Sequence, residues 1–300
     1  MSDSSAAAGD STDPVGEAAV QRLADTERLL VALDVDGTLA PLSDEPMSVR
    51  MLPAARAAVL ALAALPGTTV ALVSGRTLHD LRTIAEHTDD SPLLLAGSHG
   101  AEYWSPGERE RGTGDDAAAS ARRDALRRRA ETLVESMPGA WIEPKTFGFA
   151  VHTRLADADT AAAANAAVDA LIAAEAPQWR RRTGHDIVEY ASRTEGKDTA
   201  VRVLRERTAA TAVLFAGDDV TDEDALASLG PGDLGVLVGD RPTHATLTVP
   251  DIPAMAALLR RLAELRAGRT PVSRGPRPPR RPAPRRAVRH GSRSHPSGSR

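Results

Sequence analysis

Short, wholly apolar runs alternate with helix-like segments over the first hundred residues, and this alternation restricts the fold more than any other feature. Leu29–Leu33 is the first run, and the alanine- and leucine-rich segment Pro53–Leu65 follows it. Two further runs come at Val70–Val73 and Leu93–Ala96. Runs of this length are typical of strands buried on both faces. The resulting β-α-β-α-β order predicts a parallel sheet with a functional site at the carboxyl ends of its strands.

The alternation stops at Ser105–Asp116, a glycine- and charge-rich stretch that indicates a domain boundary. An α-β-β-α-β-β order follows it, which predicts a small open-faced sheet covered by two helices and inserted into the first domain. The parallel pattern then resumes. We therefore expect a disordered lead at 1–26, an α/β core at 27–105 and 191–267, an inserted α+β cap at 106–190, and a disordered Arg/Pro-rich tail at 268–300.

Charge and cysteine content exclude several classes of protein. The chain has no cysteine, so disulfides, thiolate zinc sites, iron–sulfur clusters and thiol nucleophiles are excluded. Its net charge is -4, and the eleven arginines from Arg266 onward contribute +11, so residues 1–265 carry -15. Such an acidic body repels nucleic acid, and only the basic tail could contact a polyanion. No signal sequence or apolar stretch of the ~20 residues that span a bilayer is present, so we expect a cytoplasmic protein without a membrane segment.

Two carboxylates follow the first predicted strand. Asp34 and Asp36 are two residues apart, and Gly37 permits the turn that would bring both to one small site. Paired carboxylates in such a crevice suit Mg²⁺. A calcium-binding loop is excluded although Glu45 falls at its twelfth position, because Leu39 replaces the glycine of position six. A plain Asx turn is the alternative to a metal site.

A second acidic group follows the apolar run Val213–Ala216. It contains Asp218, Asp219, Asp222 and Glu223. These side chains would repel one another without a cation, which favours a metal site. Asp222 and Glu223 could instead be helix N-terminal acids that the helix dipole stabilises.

Anion-binding groups stand between these two acidic segments. Ser74 and Gly75 follow the strand Val70–Val73, where a hydroxyl and backbone N–H groups near a helix start could hold a phosphate. Lys197 is one of only two lysines in the chain, and it could neutralise an anionic substrate. A solvated surface lysine is the alternative interpretation of Lys197.

These motifs together resemble those of a known family. DVDGTLA at 34–40, SGR at 74–76, a lysine at 197 and GDDVTDE at 217–223 resemble the four-motif signature of the haloacid dehalogenase (HAD) superfamily of aspartate-nucleophile phosphatases. GSHGAE at 97–102, EPK at 143–145, VHTR at 151–154 and a glutamate at 189 are similar to elements of its trehalose-6-phosphate phosphatase family. The chain departs from that family at Thr153, where an aromatic is usual, and in its Gly-Lys-Asp order at 196–198. The resemblance covers about Arg28–Ala267 and implies a Rossmann-like parallel-sheet HAD core with an inserted α+β cap.

The resemblance also implies a reaction and its residues. It implies Mg²⁺-dependent hydrolysis of trehalose 6-phosphate, the last step of trehalose biosynthesis, with Asp34 as nucleophile and Asp36 as general acid and base. The implied phosphate-binding residues are Ser74, Gly75 and Lys197. The implied metal-binding residues are Asp34, Asp36 through its backbone carbonyl, Asp218, and in support Asp219 and Asp222. The implied sugar-binding residues are Glu143, Lys145, Arg154 and Glu189.

Other interpretations stay open at this point. By spacing alone, Glu143 and Lys145 are more simply a surface ion pair on a strand, and His99 and His152 are more simply structural. Phosphatases for sucrose phosphate or mannosylphosphoglycerate would share the core motifs. A non-catalytic sugar-phosphate sensor is a further alternative, although it would not need both Asp34 and Asp36.

Overall fold

The computed structural model describes residues 14–107, 111–112, 117–184, 186–193 and 195–269, which form two β-sheets flanked by helices. The helices are α1 (Pro14–Asp25), α2 (Pro53–Ala63), α3 (Leu78–Ile84), α4 (Ala117–Val134), α5 (Ala158–Glu175), α6 (Lys197–Thr208), α7 (Glu223–Ala227) and α8 (Ile252–Ala267). The strands are β1 (Leu29–Leu33), β2 (Thr68–Val73), β3 (Leu94–Gly97), β4 (Glu102–Trp104), β5 (Arg111–Gly112), β6 (Trp141–Lys145), β7 (Gly148–His152), β8 (Arg180–Gly184), β9 (Ile187–Ala191), β10 (Ala212–Gly217), β11 (Leu234–Val238) and β12 (Leu247–Val249).

The larger sheet has the strand order β12-β11-β10-β1-β2-β3-β4-β5. Neighbours from β12 to β3 are parallel, and β4 and β5 extend one edge in antiparallel orientation. The strand order reverses at β1, which lies between β10 and β2. Ligands of α/β sheets bind at such a reversal, outside the carboxyl ends of the strands. The predicted parallel-sheet core is confirmed, and the residues that follow β1, β2 and β10 lie side by side.

Both faces of this sheet are covered by helices, which explains the uninterrupted apolar runs. Alternate residues of a strand point to opposite faces. Leu29, Val31 and Leu33 pack with α1, α2, α3 and α8, whereas Leu30 and Ala32 pack with α6 and α7. Each residue of β1 is therefore buried and apolar.

The smaller sheet is fully antiparallel, with the order β6-β7-β9-β8. Helices α4 and α5 cover one face, where Phe149, Tyr190 and Trp179 form an aromatic cluster with Leu126 and Val168. This is the open-faced α+β cap predicted from the sequence. The pairing of β5 with β4 extends the larger sheet beyond residue 105. The predicted domain boundary at residue 105 stays a prediction.

The prediction of a disordered lead at 1–26 is wrong from Pro14 onward. Helix α1 begins there and packs against α8. Its apolar face is formed by Ala19, Val20, Leu23 and Ala24, which are buried in the core. Their spacing is that of one helix face, but the helix is short and follows thirteen mostly small or polar residues, so the sequence pattern was weak. The predicted tail lies outside the described residues from 270 onward.

None of the helices in the described part of the chain combines the length and the apolar character that crossing a membrane requires.

Candidate active site

Acidic residues from two neighbouring strand ends meet at the carboxyl edge of the larger sheet. Asp34 directly follows β1, and Asp218 and Asp222 follow β10. One carboxylate oxygen from each of the three lies within 4.8 Å of the others. Gly37 allows the two loops to approach, because its φ is +78° and a Cβ at this position would lie 2.0 Å from Asp218 Oδ2. The sheet topology therefore brings together the two acidic motifs, which are about 180 residues apart.

Lys197 lies between two of these carboxylates. Its Nζ donates to Asp34 Oδ1 at 2.7 Å and to Asp222 Oδ1 at 2.7 Å. The residue is only 3% exposed, so the alternative of a solvated surface lysine is wrong. Burial opposes the ammonium charge, but the two carboxylates outweigh it and raise the pKa of Lys197. The side chain is therefore a permanently charged group at the start of α6.

Lys197 does not balance all of the negative charge in the cluster. Burial, together with the carboxylates of Asp222, Asp218 and Asp36, raises the pKa of Asp34 well above its ordinary value although Lys197 lowers it. Burial and the nearby Asp222 raise the pKa of Asp218 to about 7. The raised pKa values show that these carboxylates repel one another when they are ionised together. A divalent cation bound between them would reduce this repulsion.

The hydrogen bonds separate candidate metal ligands from supporting residues. Asp222 Oδ1 accepts from Lys197, and its Oδ2 accepts from the backbone N–H groups of Asp218 and Asp219 at 3.2 and 3.1 Å. Asp219 Oδ1 accepts from the backbone N–H of Val220 at 2.7 Å, and Asp219 is not among the three clustered acids. Asp222 and Asp219 thus hold the loop. The carboxylates of Asp34 and Asp218 are the oxygen ligands that fit a hard cation such as Mg²⁺.

Asp36 and the loop after β2 form a second contact. Arg76 donates from Nε to Asp36 Oδ2 at 2.7 Å and from Nη2 to Asp36 Oδ1 at 2.6 Å, a two-pronged ion pair. Ser74 is buried at the end of β2, and its Oγ accepts from the backbone N–H of Arg76 at 3.1 Å. Arg76 belongs to the SGR motif, but only Ser74 and Gly75 of that motif are predicted site residues.

On the cap, Glu143 and Lys145 are paired as their spacing suggests. Lys145 Nζ donates to Glu143 Oε1 at 2.9 Å, and His152 Nε2 lies 2.6 Å from Glu143 Oε2. Burial raises the pKa of Glu143, but the hydrogen bonds from His152 and Lys145 outweigh it and lower the value to about 2. His152 also stacks on Trp141, with 4.7 Å between the ring centroids. His152 is therefore part of the polar set on the cap, which the sequence analysis did not expect.

Glu189 forms a contact between cap and core. Its Oε2 lies 3.0 Å from Nε2 of His99, in the loop after β3. Burial lowers the pKa of His99. Burial raises the pKa of Glu189, but His99 and nearby cations outweigh it and lower the value to about 2, so Nε2 carries the shared hydrogen. The imidazole also lies against Gly75, where a Cβ would be 2.7 Å from the ring. One side chain thus connects the candidate phosphate loop with a candidate sugar ligand.

Arg154 does not join this group directly. It pairs with Asp44 of the core at 3.1 Å, and Asp44 is 96% exposed. Its guanidinium lies 5.4 Å from the ring centroid of Trp141. Among the described contacts, Arg154 is linked to Glu143 through the stacked Trp141 and His152.

One candidate phosphate residue and two candidate sugar residues line the same narrow crevice. A crevice of about 40 Å³ is lined by Gly75, His99, Lys145 and Glu189 among others. A larger cleft of about 510 Å³, lined by Lys145, Arg123 and Glu102 among others, contains none of the clustered acids. The clustered acids do not line the small crevice either, and Gly75 is the one predicted phosphate-binding residue among its lining residues.

Comparison with known proteins indicates one family. A family model described as trehalose-phosphatase matches residues 32–247. A trehalose-phosphate phosphatase of Mycobacterium marinum is 32% identical over 250 residues, which are 79% of this chain and 62% of that protein. One of Mycobacterium avium is 34% identical over 241 residues, 76% of this chain and 60% of that protein. The chain thus matches less than two thirds of the length of these relatives.

Solved structures show the same fold. The C-terminal domain of a trehalose-6-phosphate phosphatase from Candida albicans superposes with a TM-score of 0.70 at 20% identity, covering 83% of this chain and 96% of that one. A haloacid dehalogenase-like hydrolase from B. subtilis gives a TM-score of 0.52 at 14% identity, covering 77% and 98%. The predicted Rossmann-like HAD core with a cap is therefore confirmed as a fold.

Proposed function

Because the chain belongs to the trehalose-phosphatase family, we propose that it hydrolyses trehalose 6-phosphate to trehalose and phosphate. The observation that carries the proposal is the buried contact of Lys197 with Asp34 and Asp222 beside Asp218. Phosphoryl transfer to a protein carboxylate needs a nucleophile, a fixed cation for the phosphate and charge compensation in one place. The proposed nucleophile Asp34, the proposed metal ligand Asp218 and the compensating charge of Lys197 lie together at the carboxyl edge of the larger sheet, which supports the proposal.

The proposed reaction has two steps. An oxygen of Asp34 attacks phosphorus, the bond from phosphorus to sugar O6 breaks with its electron pair going to O6, and Asp36 gives O6 a proton. Water then attacks the aspartyl phosphate, Asp36 takes a proton from that water, and the phosphorus–Asp34 bond breaks to release phosphate. Both oxygens of Asp36 accept from Arg76 in this structure, so Asp36 would have to release Arg76 and take up a proton before it could protonate O6.

We assign the phosphate group to Ser74, Gly75 and Lys197. Mg²⁺ would be held by the carboxylates of Asp34 and Asp218 and the backbone carbonyl of Asp36. The residues in support would be Asp219 and Asp222. When bound, the cation would offset the repulsion between carboxylate and phosphate and stabilise the equatorial oxygens.

We assign the sugar to Glu143, Lys145 and Glu189. Ionised carboxylates accept hydrogen bonds from hydroxyl groups, and the low pKa values of Glu143 and Glu189 keep both ionised at neutral pH. Arg154 would have to leave Asp44 to reach a sugar, so its proposed contribution is the least direct.

Phosphate release from trehalose 6-phosphate is the decisive assay, run beside sucrose 6-phosphate, mannosylphosphoglycerate and an aryl phosphate. We expect the highest kcat/KM with trehalose 6-phosphate. A preference for another sugar phosphate would keep the reaction and change the substrate. Binding of trehalose 6-phosphate without any phosphate release would instead identify a sensor.

Metal removal tests the cofactor separately. We expect excess chelator to eliminate phosphate release and added Mg²⁺ to restore it, because Asp34, Asp218 and a phosphate dianion would otherwise repel one another. Full activity in chelator would contradict the assignment. The cytoplasmic location stays a prediction, and so does any contact of the tail with nucleic acid, since the tail lies beyond the described residues.

A further inference from the structure

The loop that carries Asp218 is held by Arg241, a residue with no role assigned so far. The guanidinium donates from Nε to the carbonyl of Asp218 at 3.0 Å and from Nη2 to the carbonyl of Asp219 at 2.6 Å. These two donors lie on one edge of the planar guanidinium, so a single rigid group reaches two consecutive carbonyls.

Asp222 binds the backbone N–H groups of the same two residues, since its Oδ2 accepts from both Asp218 and Asp219. Because both the amides and the carbonyls are engaged, neither residue can rotate without breaking a hydrogen bond. The direction of the Asp218 carboxylate therefore depends on Arg241 as well as on Asp222.

Arg241 is itself anchored by a second contact. Its Nη2 also donates to Glu223 Oε1 at 2.6 Å, and Glu223 accepts from the hydroxyl of Thr243 and the backbone N–H of His244, each at 2.8 Å. Arg241 follows β11, whose neighbour in the sheet is β10. Arg241 thus connects the Asp218–Asp219 loop after β10 to the segment that follows β11.

We propose that Arg241 is a positioning residue for the divalent cation, because it holds the Asp218–Asp219 loop in the orientation in which the carboxylate of Asp218 binds the metal. This inference rests on the proposed function, from which it takes the metal site. Groups that orient metal ligands typically change metal affinity about 10–100-fold when they are removed.

Binding of Mn²⁺ to the substrate-free protein, followed by the EPR signal of free Mn²⁺, measures this affinity without turnover. We expect Arg241→Ala to raise the Kd for Mn²⁺ by about tenfold or more. Arg241→Lys should raise it less, because one ammonium can still reach a carbonyl but cannot reproduce the fork. Arg202→Ala is the matched control, since Arg202 pairs only with Glu206 on α6 among the described contacts and its side chain is 62% exposed.

An unchanged Kd in a folded Arg241→Ala protein would overturn the proposal, even if its melting temperature fell, because that result marks a purely structural role. If wild type itself binds no Mn²⁺, the metal assignment of the proposed function fails, and this inference fails with it. Should Arg241→Ala not fold, Glu223→Gln replaces it, because it weakens the anchor of Arg241. Its Kd should rise in the same direction, and an unchanged Kd would again overturn the proposal.

Discussion

The two lysines of the chain lie in the two halves of the candidate site, and their surroundings differ. Lys197 in the core is 3% exposed and contacts two carboxylates, one of them the proposed nucleophile. The side chain of Lys145 in the cap is 28% exposed and contacts one carboxylate, Glu143, which is 40% exposed. The same residue type thus serves a buried network in one half and a partly solvated pair in the other.

The two lysines therefore differ in how easily their contacts can change, and Lys197 belongs to the proposed reaction whereas Lys145 belongs to the proposed sugar recognition. A buried pair is costly to break, because the remaining charge is left without compensation, whereas a solvated pair contributes little to stability. The Lys197 network is therefore costly to rearrange. The Lys145–Glu143 pair can change its contacts at low cost in stability, which would let the proposed sugar contacts vary while the proposed chemistry stays constant.

Asp34→Asn should produce the largest effect. The amide preserves the shape of the carboxylate but not its nucleophilic charge, so phosphate release from both trehalose 6-phosphate and an aryl phosphate should fall at least about a thousandfold. The fold should persist by circular dichroism. Asp90→Asn, on an exposed loop, is the control and should behave as wild type. Normal turnover in the folded Asp34→Asn protein would refute the aspartyl-phosphate step.

Replacing each lysine by methionine compares the halves directly. Lys197→Met should lower the free energy of unfolding by about 3–5 kcal/mol, because Asp34 and Asp222 stay buried without their cation. Lys145→Met should lower it by about 0–1 kcal/mol. Urea unfolding in the presence of chelator measures both. Equal losses would remove the distinction between the two halves.

Glu143→Gln and Glu189→Gln test recognition. Each should reduce kcat/KM for trehalose 6-phosphate by about 10–100-fold, since a charged hydrogen-bond acceptor for the sugar is lost. Rates on an aryl phosphate that does not engage the cap should stay close to wild type. Glu131→Gln, on the cap helix α4, is the control. Equal losses on both substrates would show that the two glutamates serve the fold of the cap.

The pH dependence of stability gives the smallest expected effect. The pKa of Glu189 is about 2 in the folded protein against an ordinary value of 4.5, so its ionised form stabilises the fold above pH 4.5. That contribution is lost as pH falls toward 2. Between pH 6 and pH 3.5, wild type should lose about 1 kcal/mol more unfolding free energy than Glu189→Gln. Parallel curves would indicate that Glu189 is not held by His99 in solution.

Much of the core was predictable because buried parallel strands have an unmistakable pattern. The predicted bounds of β1 coincide with those in the structure, since every residue of that strand meets a helix on one face or the other. Helix α1 was missed because its apolar face is short, and β4 because three residues cannot display an alternation.

In the candidate site, motif positions were predictable and side-chain partners were not. Asp34 and Asp218 had to meet because parallel strands end at one edge of a sheet. Nothing in the sequence indicated that Asp219 would turn toward Val220, or that His99 would contact Glu189, 90 residues away. Such contacts depend on how cap and core pack, which local patterns do not encode.

The crevice between core and cap is small for the substrate proposed here. Its cavity volume is about 40 Å³, whereas pockets for small-molecule ligands measure about 300–1,000 Å³. If the proposed disaccharide phosphate binds in this crevice, the cap has to move away to admit it, and that movement would separate His99 from Glu189. The apparent Kd for substrate would then be the intrinsic Kd divided by the fraction of molecules whose cap is open. The His99–Glu189 contact would then be one that breaks each time the site takes up substrate.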